Sequence, residues 1–137
     1  MVEYTHNKCY EVQAMIIKES AENYLETIYS LIEKNGSVRS IDIANELGFS
    51  KPSISVAMKA FREEGYILVD REGKISLTGK GLEVATRVYD RHQLIAKALM
   101  ALGVSEATAY EDSCKLEHGL SDESFEKIKE HVEKHIK

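Results

Sequence analysis

Cysteine is scarce in this 137-residue sequence: only Cys9 and Cys114 occur. Two thiols are too few for a disulfide framework, so a cross-linked secreted scaffold is not expected. Long apolar runs are missing as well. Apolar residues make up 43% of the chain, yet no run approaches the roughly 20 residues that span a bilayer. The opening Met-Val-Glu-Tyr-Thr-His-Asn-Lys has no basic start leading into an apolar stretch, so it does not read as a secretory signal. A cytoplasmic protein with no membrane partner is expected. No His-Glu-x-x-His, nucleophile elbow or phosphate loop occurs, and an enzyme is not expected. Internal repeats and low-complexity linkers are also lacking.

Excess positive charge is absent too, since the formal net charge is −5. Its distribution is more informative than its sum. Residues 34–80 hold eight basic and six acidic groups, whereas residues 1–33 hold two and six and residues 101–137 hold five and nine. The middle is mildly basic between acidic flanks. An acidic protein that approaches DNA has a use for bound divalent cations.

Periodicity supplies the architecture. Residues 1–18 show no clean period, and Met15 stands where a compact domain could begin. Ser20 reads as the N-cap of a first helix whose inner face is Leu25, Ile28, Tyr29 and Ile32, ended by Asn35-Gly36. Ser40 reads as the cap of a short second helix with Ile41, Ala44 and Leu47 inward, followed by a tight turn at Gly48-Phe49-Ser50. Ser50 caps a third helix with Pro52 in its first turn, where a missing N–H costs little. Its inner face is Ile54, Ala57, Met58 and Phe61, and Glu64-Gly65 stops it.

Tyr66–Val69 and Lys74–Leu77, joined by a polar turn containing Gly73, read as a hairpin. Thr78 caps a long fourth helix with Leu82, Ala85, Val88, Tyr89, His92, Ile95 and Leu99 inward, broken at Leu102-Gly103-Val104. Ser105 opens a fifth helix that runs to His118 and ends at Gly119, and Ser121 opens a sixth with Phe125, Ile128 and Val132 on one face. The expected fold is mainly α with a small β-wing. Residues 1–19 are expected to form an N-terminal extension, 20–80 a winged helix-turn-helix domain, and 81–137 a further helical domain.

The third helix presents Ser53, Ser55, Val56, Lys59 and Arg62 outward. Small hydroxyl side chains at its start admit a base-pair edge, and Val56 suits a thymine methyl. Arg39, Lys51, Lys59 and the wing residues Arg71 and Lys74 suit phosphates, which position a protein without reading sequence. Pro52 belongs to the same first turn, whose free N–H groups favour a phosphate.

Cys114, Glu117 and His118 fall at i, i+3 and i+4 of the fifth helix, so a thiolate, a carboxylate and an imidazole share one face. Asn23 and Glu26 stand at i and i+3 of the first helix, and His92 lies mid-stripe on the fourth. Each has a plain structural reading as well: a hydrogen-bonded core histidine, a small apolar cysteine, a helix-end Glu-His pair. His131 and His135 form a further i, i+4 pair near the C-terminal end, read as exposed, and His6 and Cys9 lie in the extension.

The runs Ala21–Tyr29, Ile43–Leu47, Lys51–Ser55, Leu77–Gly81, Arg91-His92 and Cys114–His118 leading into Leu120–Glu123 resemble the iron- and manganese-dependent repressors of the diphtheria toxin repressor type. The resemblance covers about Ser20 to Ile136. It implies a metal site drawn from the first, fourth and fifth helices. Glu117 and His118 match ligands of both branches of the family, and Cys114 matches the iron-type branch. Glu26 and His92 match ligands of the manganese-type binuclear site, and His92 also matches an ancillary ligand of the iron type. Asn23 matches neither branch. The iron type's other ancillary ligands fall at Ala96 and Tyr110, and Ala96 offers no donor. With the chain ending at Lys137, the family's SH3-like third domain is expected to be absent.

The resemblance implies a metal-dependent transcriptional repressor that binds double-stranded operator DNA as a homodimer, with iron(II) or manganese(II) as co-repressor. Other divalent transition metals could substitute in vitro. A two-fold dimer must hold its recognition helices about 34 Å apart to enter successive major grooves, and a metal that binds the competent arrangement better shifts the population towards it. Two alternatives stay open: a winged-helix regulator answering an organic ligand, or one answering thiol oxidation at Cys114.

Overall fold

The computed structural model describes residues 20–136 and is almost wholly helical, with one small sheet. His6, Cys9 and Met15 lie outside the described residues. The chain divides into two compact units, with the boundary between Thr86 and Arg87.

In the first unit, α1 (residues 20–35) buries Leu25, Ile28 and Leu31. Tyr29 and Ile32 pack against the same core. Ser20 is already helical, so it is not the N-cap expected of it. Gly36 ends the helix with φ 83°, its N–H donating to the Ile32 carbonyl at 2.7 Å.

Helix α2 (Ser40–Leu47) is capped by Arg39 rather than Ser40. The Asp42 carboxylate accepts from the Arg39 N–H at 2.9 Å, an acidic group satisfying a free donor at a helix start. Its buried residues are Ile43 and Ala44, whereas Ile41 is 41% exposed. Ala44 and Leu47 meet the core as expected, and Ile43 rather than Ile41 takes the buried position at the start of the helix.

Helix α3 (Lys51–Glu63) follows the sequence closely. Ser50 caps it, accepting from the Ser53 N–H at 3.3 Å, and Ile54, Met58 and Phe61 are buried. Phe61 lies edge-on to both Tyr24, at 5.8 Å between ring centroids, and Tyr66, at 6.2 Å. These rings join α1, α3 and the start of the wing.

The wing is an antiparallel pair, β1 (Ile67–Val69) and β2 (Ile75–Leu77), with Ile67 opposite Leu77. Its turn is held by Asp70, whose Oδ1 accepts from the N–H groups of Glu72 and Lys74, both at 2.9 Å. The Ile75 N–H donates to the Val38 carbonyl at 2.8 Å, tying β2 to the segment before α2.

Helix α4 (Gly79–Ala101) contributes its first turns to this unit. Thr78 accepts from the Gly81 N–H at 3.2 Å and donates to the Gly65 carbonyl at 2.6 Å, as a capping residue that also anchors the helix to the wing. Leu82, expected inward, is 44% exposed; Ala85 takes the core position one turn on.

The second unit comprises the rest of α4 with α5 (Glu106–Gly119) and α6 (Asp122–His135). Val88, His92, Ile95 and Ala96 of α4, Ala109, Ser113 and Glu117 of α5, and Val132 of α6 are buried. Gly103, at φ 102°, makes the turn out of α4. Ser121 caps α6, accepting from the Ser124 N–H at 3.1 Å. Arg91 fastens α4 to the start of α6: its guanidinium lies 4.4 Å from the Phe125 ring centroid and 3.3 Å from the Asp122 carboxylate.

Candidate metal centre and DNA-binding surface

Within the second unit, α4 and α5 bring four side chains of metal-ligating chemistry together. One ligand atom each from His92, Cys114 and His118 lies within 4.8 Å of the other two. The Glu117 Oε2 stands 3.2 Å from His92 Nε2 and 3.3 Å from His118 Nδ1. Cys114, Glu117 and His118 are presented together because they sit three and four residues apart on one helix. His92 comes from α4, and its ring meets that of His118 nearly edge-on, with centroids 5.9 Å apart.

The electrostatics of this cluster are unusual for a helical core. Glu117 is 4% exposed and His92 7%. A buried carboxylate is costly unless paired or bound to a cation, and here it stands between two imidazoles. Hydrogen bonding to His118, then to His92, lowers the Cys114 thiol from 9.0 to about 7 against the opposing effect of burial. A thiolate is the form that ligates metals.

The donors fit a transition-metal ion. Metal–sulfur and metal–nitrogen bonds of about 2.0–2.3 Å put neighbouring donors roughly 3–4 Å apart, so a cluster already within 4.8 Å needs only side-chain adjustment. Two imidazoles, a thiolate and a carboxylate suit iron(II), cobalt, nickel or zinc, and suit manganese less well.

Asn23 and Glu26 are half-buried on α1 of the first unit, with the Asn23 carbonyl accepting from the Thr27 hydroxyl at 2.8 Å. Ala96 is fully buried and offers no donor, and Tyr110 donates its hydroxyl to Gln93 Oε1 at 3.0 Å. That link between α4 and α5 was not anticipated. The spacing of Gln93 and Tyr110 in the sequence carries no signal for it.

On the first unit, α3 exposes Lys51, Pro52, Ser53, Ser55, Val56, Lys59 and Arg62. Val56 is 72% exposed, an apolar side chain with no share in the core. Arg39, Arg71 and Lys74 are exposed too, with Lys74 3.3 Å from the Glu72 carboxylate in the wing turn.

Two family models match in succession. Residues 17–74 match the iron dependent repressor N-terminal DNA binding domain, and residues 78–135 match the iron dependent repressor metal binding and dimerisation domain. The chain belongs to the iron-dependent repressor family. An uncharacterised helix-turn-helix transcriptional regulator of Methanocaldococcus jannaschii is 38% identical over 120 residues, covering 86% of this chain and 96% of that protein. The transcriptional regulator MntR of Listeria welshimeri is 35% identical over 109 residues, covering 80% of this chain and 77% of MntR. Among solved structures, the manganese regulator SloR is similar with a TM-score of 0.70 and 31% identity, covering 82% of this chain. This chain spans about half of SloR, 53% of its length. The family consists of metal-dependent DNA-binding repressors, and this chain is one of them and not an enzyme. Among the described residues, no helix is long and apolar enough to cross a membrane.

Proposed function

We propose that this chain acts in the cytoplasm as a homodimeric repressor that binds double-stranded operator DNA when iron(II) or manganese(II) is held by His92, Cys114, Glu117 and His118. The supporting observation is the gathering of His92, Cys114 and His118 donors within 4.8 Å around the buried Glu117 carboxylate. When bound, the cation supplies positive charge and directed bonds that favour one arrangement of its ligands. Cys114 contributes the soft donor and favours iron(II). Glu117 orients the two imidazoles and contributes an oxygen. Glu26, on α1, is the further ligand implied by the family resemblance; Asn23, one turn away, is the weaker candidate.

Lys51, Lys59, Arg62, Arg39 and the wing residues Arg71 and Lys74 supply phosphate contacts in this reading. Ser53, Ser55 and Val56 face the base edges, and Pro52 stands in the first turn whose free N–H groups favour a phosphate. Metal and operator each tighten the binding of the other, because linkage is reciprocal.

Fluorescence anisotropy tests the proposal: the purified, chelated protein is titrated on operator-enriched DNA at fixed salt, with iron(II) under anaerobic conditions and with manganese(II) separately. A gain in affinity of about tenfold or more, which is about 1.4 kcal/mol of coupling, supports it. Equal affinity with chelator and with both metals refutes it. A Glu26→Ala variant that keeps the full gain removes Glu26 from the ligand set.

A second reading, control by oxidation of Cys114, is favoured by the lowered thiol pKa of about 7. Loss of operator binding under peroxide, restored by reductant at constant metal, would support it.

A further inference from the structure

The histidine pair that the proposed centre does not use is His131 and His135, one turn apart on α6. Both are exposed, and their ring centroids lie 4.6 Å apart with the planes inclined at 44°. The helix is intact to its end, where the Ile136 N–H donates to the Val132 carbonyl at 2.9 Å. Residues four apart lie one above the other on a helix surface, so the two imidazoles are neighbours by construction. Lys127, the preceding residue in that row, has its ammonium 3.6 Å from the Glu130 carboxylate. Its charge is thus matched by that carboxylate. The adjoining row, Ile128, Val132 and Ile136, borders an apolar groove on whose rim both histidines stand.

We propose that His131 and His135 form a second metal site, separate from the centre at His92, Cys114, Glu117 and His118. It is a two-imidazole clamp for copper(II), nickel(II) or zinc(II), with water completing the coordination. Imidazole donors suit these late transition metals, whereas manganese(II) and magnesium prefer oxygen, so the clamp discriminates against manganese(II) more strongly than the centre, which also offers the Glu117 carboxylate. Two protein donors make it the weaker of the two. A cation bridging one helical turn holds the last turn of α6, where frayed ends are the rule. The clamp offers surplus late metals a second, weaker foothold at the end of α6 and the rim of the apolar groove.

Equilibrium dialysis of the untagged, chelator-stripped full chain against nickel(II), and separately against manganese(II), tests this. The wild type is compared with a His131→Ala/His135→Ala variant and with a register variant, Glu133→His/His135→Ala. The register variant keeps two histidines but sets them two residues apart, on diverging faces. The expected result is that both variants bind about one nickel(II) fewer than the wild type, with manganese(II) stoichiometry and manganese-dependent operator binding unchanged. Circular dichroism checks that both variants keep their helix content. Full nickel(II) stoichiometry in the alanine variant overturns the site. Wild-type binding by the register variant overturns the geometric clamp in favour of unspecific surface histidines. A fall in manganese(II) stoichiometry in the alanine variant overturns the separation of the two sites.

Discussion

The Oε2 of Glu117 stands 3.2 Å from Nε2 of His92, linking α5 to α4 inside the second unit. The same oxygen is 3.3 Å from Nδ1 of His118. One buried carboxylate therefore faces two imidazoles, and Cys114 completes the group one turn back along α5. Such a cluster makes little sense as ordinary core packing, because apolar side chains of similar volume would avoid the desolvation of every member. Its burial is accounted for if a cation shares the site.

Glu117→Ala and His118→Ala are the direct tests of that account. Each removes one donor and also disturbs the donors it orients. Metal-dependent operator binding is expected to fall by tenfold or more, about 1.4 kcal/mol of coupling lost. The dimer should persist, since both side chains are buried within this unit. Anisotropy titration reports the first quantity and light scattering the second. Full metal-dependent binding by both variants would refute the site.

Cys114→Glu tests metal choice. Replacing the thiolate with a carboxylate exchanges a soft donor for a hard one at an otherwise unchanged position on α5. The activating preference should move towards manganese(II). The readout is the ratio of metal concentrations that give half-maximal operator binding for iron(II) and manganese(II). A ratio equal to that of the wild type would sink the prediction.

Much of this candidate cluster is legible in the sequence, and the reason is helical geometry. Cys114, Glu117 and His118 share a face whenever their segment is helical, so their spacing announces them. The capping chemistry of Ser50 and Ser121 was equally readable, because each side-chain oxygen meets a free N–H three residues on. Arg39 was missed as the cap of α2 because its own side chain carries no capping signal; the deciding group is the Asp42 carboxylate reaching back to the Arg39 N–H. The apolar spacing points Ile41 and Leu82 inward, yet the core takes Ile43 and Ala85 instead, because one apolar residue in the first turn of a helix does not fix which face the tertiary packing buries. The approach of His92 to Glu117, like that of Gln93 to Tyr110, joins different helices and leaves no local pattern.

Phosphate contacts should show themselves through salt. Lys51 and Lys59 are exposed on α3, and each is expected to neutralise one phosphate. Single alanine substitutions should weaken binding to all sequences alike and lower the slope of log K against log salt by about 1 each. Val56→Ala should instead change the preference among operator variants at one position, by about 1 kcal/mol where Val56 meets a thymine methyl. Salt titrations and a panel of single-base substitutions separate the two kinds of effect. An unchanged slope in Lys51→Ala and Lys59→Ala would remove those lysines from the interface.

Gly81→Ala tests the joint between the wing and α4. Gly81 is buried in the first turn of α4, and a Cβ there would overlap the carbonyl oxygen of Tyr66 and press on the Leu77 side chain. The Tyr66 carbonyl cannot easily retreat. It accepts from the Thr78 N–H at 3.0 Å, a bond that sets the start of the helix against β1. Overpacking at such a contact costs about 1–3 kcal/mol, larger than the gain of about 0.5–1 kcal/mol that alanine ordinarily brings over glycine within a helix. Gly79→Ala, two residues earlier, meets no atom within 4 Å and serves as the control for propensity alone. The expected outcome is a lower Tm for Gly81→Ala and an unchanged or higher Tm for Gly79→Ala. Equal Tm values for the two variants would mean that the contact with Tyr66 yields without cost.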